Sequence, residues 1–353
     1  MRVFQHIDVY HSQDGIGNDI NGLHSVLHRN RIPSFIICRI SDRTDEHVMD
    51  NFPFPLETFP SDMHILHYGG YGYPVREFMK LKGKKILRYH NMTPPQFFQP
   101  FLPIEQYNIF QFNYEKSLVE TAFLADASDE IWSDSEYNRD CLLESYSGRD
   151  FQKFKVKPIF RKYRISETSK NRYEKTLIFT GRYSPNKKLE DCIYSIFFLR
   201  KIDPDFRFIF LGKRIPVFQK YSDFLHRISK ELNLLNSVYF IESASDDFIL
   251  KKMTGSSVYL SCSEHEGFGI PVIEAFGAGL PVIYSSIPAL KEITKGAGAA
   301  VNKKRFELIA ELIFEMHSNS EFRERTVHRQ NIVAEYYNSL YESLEKSAES
   351  IFG

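Results

Sequence analysis

Residues 263–284, SEHEGFGIPVIEAFGAGLPVIY, set Glu266 and Glu274, Gly267 and Gly269, and Pro271 in an order that can hold an anion between sets of hydroxyls. An apolar run ends just before this stretch, the chain turns through Gly267 and Gly269, and Pro271 suits the first turn of a helix. A strand, a glycine turn and a helix N-terminus present free amide donors and the positive end of a dipole to a ligand. Glu266 stands just before the turn and Glu274 about one helical turn beyond it, so both can face one crevice. Two carboxylates beside a diphosphate repel it unless they accept hydrogen bonds from hydroxyls instead. The pattern therefore asks for a ligand with sugar hydroxyls at both ends and an anion in the middle, the layout of a nucleotide sugar. The plainer reading of Glu274 taken alone is an ordinary surface glutamate.

A second piece lies about 80 residues earlier, in TGRYSPNKKLED (180–191). An apolar run ends at Gly181, and Arg182 and Lys187 follow in a turn with Pro185 and Asn186. Cations at the carboxyl end of a strand point into the crevice where open α/β sheets bind ligands. Arg182 brings a planar fork and Lys187 a point charge, both suited to a diphosphate. In the N-terminal half, SQDGIGNDINGL (12–23) puts Gly15 and Gly17 before a helix without forming a dinucleotide-binding signature. In RYHNMTPPQFF (88–98), His90 ends a strand and an irregular loop follows; His67, ending MHILHY, is a weaker candidate of the same kind. His265 lies between motif residues, but strand alternation turns it away from Glu266 and makes it structural. No His, Asp or Cys cluster shows metal-ligand spacing, and neither a DxD signal nor a P-loop is present, so no metal and no cofactor are expected.

These residues need elements to hold them. Candidate strands run over 2–7, 34–40, 63–68, 84–89 and 129–133, then over 176–181, 206–212, 237–242, 257–262 and 281–285. Segments of helical spacing lie between them, at 19–29, 106–125, 189–201, 217–233 and 246–253, and again from about 304 onward. Strand–helix alternation in two series predicts an α/β chain of two doubly wound, parallel-sheet domains. The expected join is the basic stretch at 150–175, read most simply as a solvated linker. A chain of 353 residues, 42% hydrophobic and 25% charged, fits two packed domains. The 45 basic residues balance the 45 acidic ones, which argues against a nucleic-acid partner. Cys38, Cys141, Cys192 and Cys262 lie far apart, the N-terminus lacks a signal-peptide core, and no apolar run reaches membrane-spanning length. A reduced, cytoplasmic setting is expected. Residues 74–88 mix six basic side chains with Phe78, Met79 and Leu81. They read either as a solvated helix end or as a contact with an anionic membrane.

Segments 180–191 and 263–284 together resemble the sugar-nucleotide half of retaining GT-B glycosyltransferases of family 4, the glycosyl transferases of group 1. The GR-x4-K turn, the E-x7-E motif of Glu266 and Glu274, the following GAGLPVI and the acidic Glu292 carry the likeness over most of 176–300. The N-terminal half is similar in outline only. The resemblance implies a GT-B fold: an acceptor-side Rossmann-like domain over 1–155, a nucleotide-sugar domain over 156–335, and a helix over 336–353 crossing back to the first domain. Two domains of that kind face a central cleft. It implies that Arg182 and Lys187 neutralise the donor diphosphate. Glu266, with Gly267 and the backbone of Phe268, Gly269 and Ile270, then holds the transferred sugar, and Glu274 accepts from the ribose. The loop of Gly15 and Gly17 approaches the donor phosphates, and His90 points at the sugar near the reacting carbon. The family's usual glycines are replaced by Lys188 and Ser243. The implied activity is metal-independent, retaining hexosyl transfer from GDP-mannose or a UDP-hexose to a saccharide or lipid-linked glycan, in surface polysaccharide synthesis. A nucleotide-sugar epimerase and a non-catalytic nucleotide-sugar-binding subunit are the alternatives. Such an enzyme works in the cytoplasm, with peripheral membrane contact where its acceptor is lipid-linked.

Overall fold

The computed structural model describes residues 1–12, 14–43, 45–146, 150–165, 174–242, 244–302 and 304–346. It divides into two compact units. The first comprises Met1–Pro94, Asn108–Lys162 and Tyr337–Gly353, and the second Pro95–Tyr107 and Tyr163–Tyr336.

The first unit opens with β1 (Val3–Tyr10), α1 (Gly15–Arg29), β2 (Ser34–Ser41) and β3 (Val48–Met49). β4 (Met63–Tyr68), α2 (Val75–Lys80), β5 (Lys84–Tyr89), the long α3 (Ile104–Ala127), β6 (Glu130–Ser133), α4 (Glu136–Ser145) and β7 (Phe154–Val156) follow. Its seven strands lie in the order β3-β2-β1-β4-β5-β6-β7, with every pairing parallel. Parallel strands are buried on both faces, which is why β4 reads MHILHY with all six residues buried rather than alternating. One core cluster gathers Phe4, Leu66, Phe78 and Leu87 with Leu124 of α3. Another joins Val3, Leu23, Ile65, Trp132 and Phe160.

The second unit alternates β8 (Thr176–Thr180), α5 (Leu189–Ile202), β9 (Arg207–Leu211), α6 (Gln219–Glu231), β10 (Val238–Ile241) and α7 (Asp246–Gly255). It continues with β11 (Val258–Ser261), α8 (Ile270–Gly277), β12 (Val282–Ser285), α9 (Pro288–Thr294), β13 (Ala299–Val301), α10 (Phe306–Ser318) and α11 (Ser320–Lys346). Its strand order is β10-β9-β8-β11-β12-β13, again parallel throughout. In both sheets the order reverses at the centre, between β1 and β4 and between β8 and β11. Ligands of open α/β sheets bind outside the carboxyl ends of the strands at such switch points. Gly181 and Arg182 follow β8, and the 263–269 loop follows β11, so both motifs stand at the switch point of their sheet.

The expected strands and helices are present with small shifts at their ends. The stretch expected to be a solvated linker is in part structured, because Phe154–Val156 forms the edge strand β7 and Phe160 is buried in the core. Residues 166–173 of that stretch, and Ser243, lie outside the described residues.

Candidate functional site

In the second unit the two motifs, 79 residues apart, meet. A single turn over Pro185–Lys187 follows β8. Asn186 ties it to the other motif twice: its carbonyl accepts from the Glu264 amide at 2.8 Å, and its side-chain amide donates to the His265 carbonyl at 3.0 Å. The Ser184 hydroxyl, donating to Asn186 Oδ1 at 2.6 Å, sets the orientation of that amide. With the loops fixed, Lys187 Nζ reaches Glu266 Oε2 at 2.5 Å. Arg182 is exposed and has no ion-pair partner among the described residues. Lys188, where the resemblance expects glycine, takes the left-handed conformation at φ 51°, ψ 50°, so the backbone geometry of a glycine is kept. Its ammonium stands 3.4 Å from Glu190 and 3.8 Å from Glu264.

Gly269 caps α8 at φ 94°, and Pro271 lies in the first turn. A Cβ at Gly269 would stand 2.7 Å from Leu290 Cδ2, so only glycine fits both the conformation and the space. Phe268 and Ile270 are buried and anchor the turn, Gly267 is half-buried, and Glu274 is the partly exposed position in an otherwise buried Val272–Gly277 run. Burial pushes the Tyr259 hydroxyl up, and both Glu266 and Glu274 add to it, so the two carboxylates bear on one neighbour. Burial also drives the His265 imidazole down to about 4, against the pull of Glu266, and its ring leans on Phe97 at 6.0 Å.

In the first unit, Gly15 and Gly17 lie inside α1 rather than ahead of it. Asp14 is the N-cap and its carboxylate accepts the Gly17 amide at 2.7 Å, so that donor is already used. A Cβ at Gly17 would stand 1.9 Å from the His11 carbonyl oxygen, and this close approach is its reason for being glycine. Gly15 is exposed at the helix start. His90 follows β5 and is buried. Its Nε2 lies 3.0 Å from His67 Nδ1, and His67 Nε2 lies 3.0 Å from Gln5 Oε1. The Gln5 amide nitrogen donates to the Ile20 carbonyl, so its oxygen must accept; His67 then carries its proton on Nε2 and His90 on Nε2. Burial, then His90, hold His67 well below the usual imidazole range.

Beneath this pair sits Asp19, fully buried, gripped by Arg88 through two bonds of 2.8 and 3.0 Å and by the Phe160 amide at 2.7 Å. Burial opposes its ionisation, but Arg88 and His90 hold it below the usual carboxylate range. Asp19, His67 and His90 bring their ligand-type atoms within 4.8 Å of one another. Sequence spacing gave no sign of this, since α1, β4 and β5 each supply one residue. Asp19 has one sequence signal: it falls on the apolar face of α1, beside Ile20 and Leu23. Asn186, equally central in the second unit, has none beyond its place in the turn.

The basic segment 74–88 forms the helix α2 followed by the strand β5, and several of its charges are paired within the fold. Arg88 is buried against Asp19, Lys84 pairs with Glu130 at 2.5 Å, Lys80 pairs with Glu77 at 2.9 Å, and Phe78 is in the core. Arg76, Lys80 and Lys82 are exposed. The paired charges serve the fold. No helix among the described residues is long and apolar enough to cross a membrane.

Two parallel Rossmann-like sheets, each with polar side chains gathered at its switch point, make this a GT-B fold. The chain aligns over 99% of its length with the whole of Anabaena HepE, solved with UDP and glucose, at TM-score 0.74 and 15% identity. It also aligns over 97% of its length with 98% of WaaG, a glycosyltransferase involved in lipopolysaccharide biosynthesis, at TM-score 0.70 and 13% identity. Residues 161–331 match the family model described as glycosyl transferases group 1. In sequence, the chain is similar to the GDP-mannose:cellobiosyl-diphosphopolyprenol alpha-mannosyltransferase of Xanthomonas oryzae pv. oryzae. The two are 30% identical over 166 residues, 46% of this chain and 43% of that protein. The chain thus spans less than half the length of the curated relatives that it matches first.

Proposed function

We propose that the chain is a retaining hexosyltransferase that moves a sugar from a nucleotide-diphosphate donor to a saccharide or lipid-linked glycan in surface polysaccharide synthesis. The observation that carries this reading is the meeting of Lys187 and Glu266 at 2.5 Å at the switch point of the second sheet, ahead of the N-terminus of α8, with Arg182 exposed just after β8. Mannose from GDP-mannose is the preferred donor, supported by the names of the mannosyltransferases to which part of this chain is similar. A UDP-hexose is the competing donor, because HepE was solved with UDP and glucose.

The chemistry follows from charge. As the bond from sugar C1 to the diphosphate oxygen breaks, negative charge grows on the leaving group. Arg182, Lys187 and the α8 amides meet it, which is electrostatic stabilisation by groups already in place. Donor binding gives Lys187 a phosphate in exchange for Glu266, and Glu266 is released to accept from sugar hydroxyls together with the Phe268–Ile270 backbone. Glu274 accepts from the ribose. The acceptor oxygen bonds C1 on the face the diphosphate leaves, and its proton passes to the departing phosphate oxygen. The protein supplies position and charge rather than a nucleophile. His90 is assigned to the transferred sugar and Gly15 to the donor phosphates; the diphosphate charge is met by cationic side chains, so no metal is needed. Arg76, Lys80 and Lys82, the exposed cations of 74–88, would each add about 1 kcal/mol to a contact with an anionic membrane surface.

The test is a thermal-shift panel of GDP, UDP, ADP, dTDP and their sugars in EDTA. A ligand at 100 times its dissociation constant adds about 2.7 kcal/mol, a shift of a few degrees. One base is expected to raise Tm in the wild type and to lose at least tenfold in affinity in Lys187→Ala. Glu266→Gln is expected to keep the nucleotide shift and lose sugar transfer. Full transfer by Glu266→Gln, or no shift with any nucleotide, overturns the assignment.

A further inference from the structure

We propose that His24, His28 and His47 form a binding site for a divalent transition-metal ion of the zinc, copper or nickel type, away from the groups assigned to the donor. His24 and His28 stand four residues apart on α1 and so project from one face of the helix. His47 comes from the segment just ahead of β3. The three imidazoles, with Ser25 and Arg29, line an open depression of about 310 Å³. Ring centroids lie 5.0 Å apart for His24 and His47, 6.5 Å for His24 and His28, and 6.4 Å for His28 and His47.

Three imidazoles bound to one tetrahedral ion through nitrogens at about 2.0–2.1 Å have their rings roughly 5 Å apart. His24 and His47 already have that separation. His28 is exposed, and ligation requires its side chain to turn toward the other two, because its ring lies 6.5 and 6.4 Å from theirs. Two further features favour a cation. His24 Nδ1 is buried and has no hydrogen-bond partner, an orphan that a metal bond would satisfy. The site lies at the C-terminal turn of α1, the negative end of the helix dipole.

The charged surroundings are compatible. Arg29 on the rim is ion-paired to Glu345, and Arg43 is paired to Asp45 at 3.3 Å. Asp45 accepts the His47 amide at 3.0 Å and so orients that segment. His47 Nε2 gives up only a 3.4 Å contact with exposed Glu46. The fourth position faces the open depression, where water completes the shell. The other histidine cluster, His67 and His90 with Asp19, is a poorer host because the Arg88 guanidinium already neutralises its carboxylate. Bound metal would pin the residues ahead of β3 to the end of α1.

Full-length protein without a histidine tag, stripped with EDTA, is titrated with Cu²⁺ and followed by electron paramagnetic resonance, then with Zn²⁺ against a chromophoric chelator. One saturable equivalent with imidazole nitrogen splitting is expected. His28→Asn and His47→Asn are each expected to weaken it at least tenfold, and the double variant to abolish it. Zn²⁺ is expected to raise Tm in the wild type, reversibly with EDTA, and not in the double variant. His28→Asn replaces an exposed residue and leaves the fold intact, so its loss of binding reports on the metal and not on unfolding. No saturable binding, or binding kept by the double variant and lost in His90→Asn, overturns the proposal.

Discussion

At Gly269 two independent constraints meet on one backbone position. The left-handed conformation costs any L-residue about 1–2 kcal/mol, and the added methyl would overlap Leu290 Cδ2 at 2.7 Å. Gly269→Ala is expected to destabilise the protein by about 2–4 kcal/mol, the sum of backbone and overpacking costs. Urea unfolding with a lowered midpoint and unchanged slope checks it, and an unchanged midpoint counts against the turn geometry described here. Lys188 shows the reverse relation. Its side chain departs from the family pattern while its backbone, at φ 51°, does not. The two loops that meet in the second unit could be read in sequence because each is a local run of turn residues, glycine and charge. Arg88 and Asp19 could not, because a buried ion pair assembled from α1 and β5 leaves no local spacing. His24 and His28 occupy an intermediate case: their four-residue interval is readable on a helix, whereas His47 joins them only through the fold.

The strands of both sheets could be placed from sequence because parallel strands buried on both faces are short continuous apolar runs between turns. The two-residue β3 and three-residue β7 and β13 were missed, since edge strands of that length carry no pattern. The buried polar content of the first sheet was equally hidden. His6 of β1 and His64 of β4 form a relay across neighbouring strands. His64 Nε2 donates to the Lys82 carbonyl at 2.9 Å, so its Nδ1 accepts from His6 Nε2 at 3.0 Å, and His6 Nδ1 in turn accepts from the Tyr73 hydroxyl at 2.7 Å. Every ring nitrogen is used with both rings neutral, and an added proton finds no acceptor. Burial pushes His64 down to about 4 and His6 well below its ordinary value. Both titrate near 6.5 when unfolded, so between about 6.5 and 4 the unfolded chain binds more protons and stability rises with pH. Stability is therefore expected to fall as pH drops through that window, by up to about 1.4 kcal/mol per pH unit for each histidine. Asp19, held low by Arg88, adds a further loss only at more acid pH, as its carboxylate is protonated. Urea midpoints at pH 7.5, 6.0 and 5.0 measure the slope; a flat profile would show that the relay does not exclude the extra proton.

At the scale of the molecule, α11 is one helix shared by two cores. Its earlier part serves the second unit, where the Gln330 side chain accepts from the Val282 amide at 2.9 Å and donates to the Leu280 carbonyl at 2.8 Å. From Tyr337 it belongs to the first unit, where Tyr341 packs in the cluster of Val3, Leu23 and Phe160. Glu345 pairs there with Arg29, and Glu342 with Lys162 at 2.9 Å. The helical pattern of this segment was readable, but its destination came from family resemblance, because periodicity shows that a face is apolar and not what it covers. Tyr341→Ala removes a nearly fully buried aromatic ring and is expected to cost about 3 kcal/mol. Hydrogen exchange should show faster loss of protection in β1 and α1 than in β8–β13; equal change in both sheets would mean that the two cores do not unfold separately. The sharing of α11 also orders events on the ribosome. Arg29 and Glu345 are 316 residues apart, so the unit made first cannot close its own core until the whole of the second has been made. Until then the faces of Leu23 and Phe160 meant for Tyr341 stay bare, and the nascent chain carries an unsealed apolar surface that a chaperone would recognise.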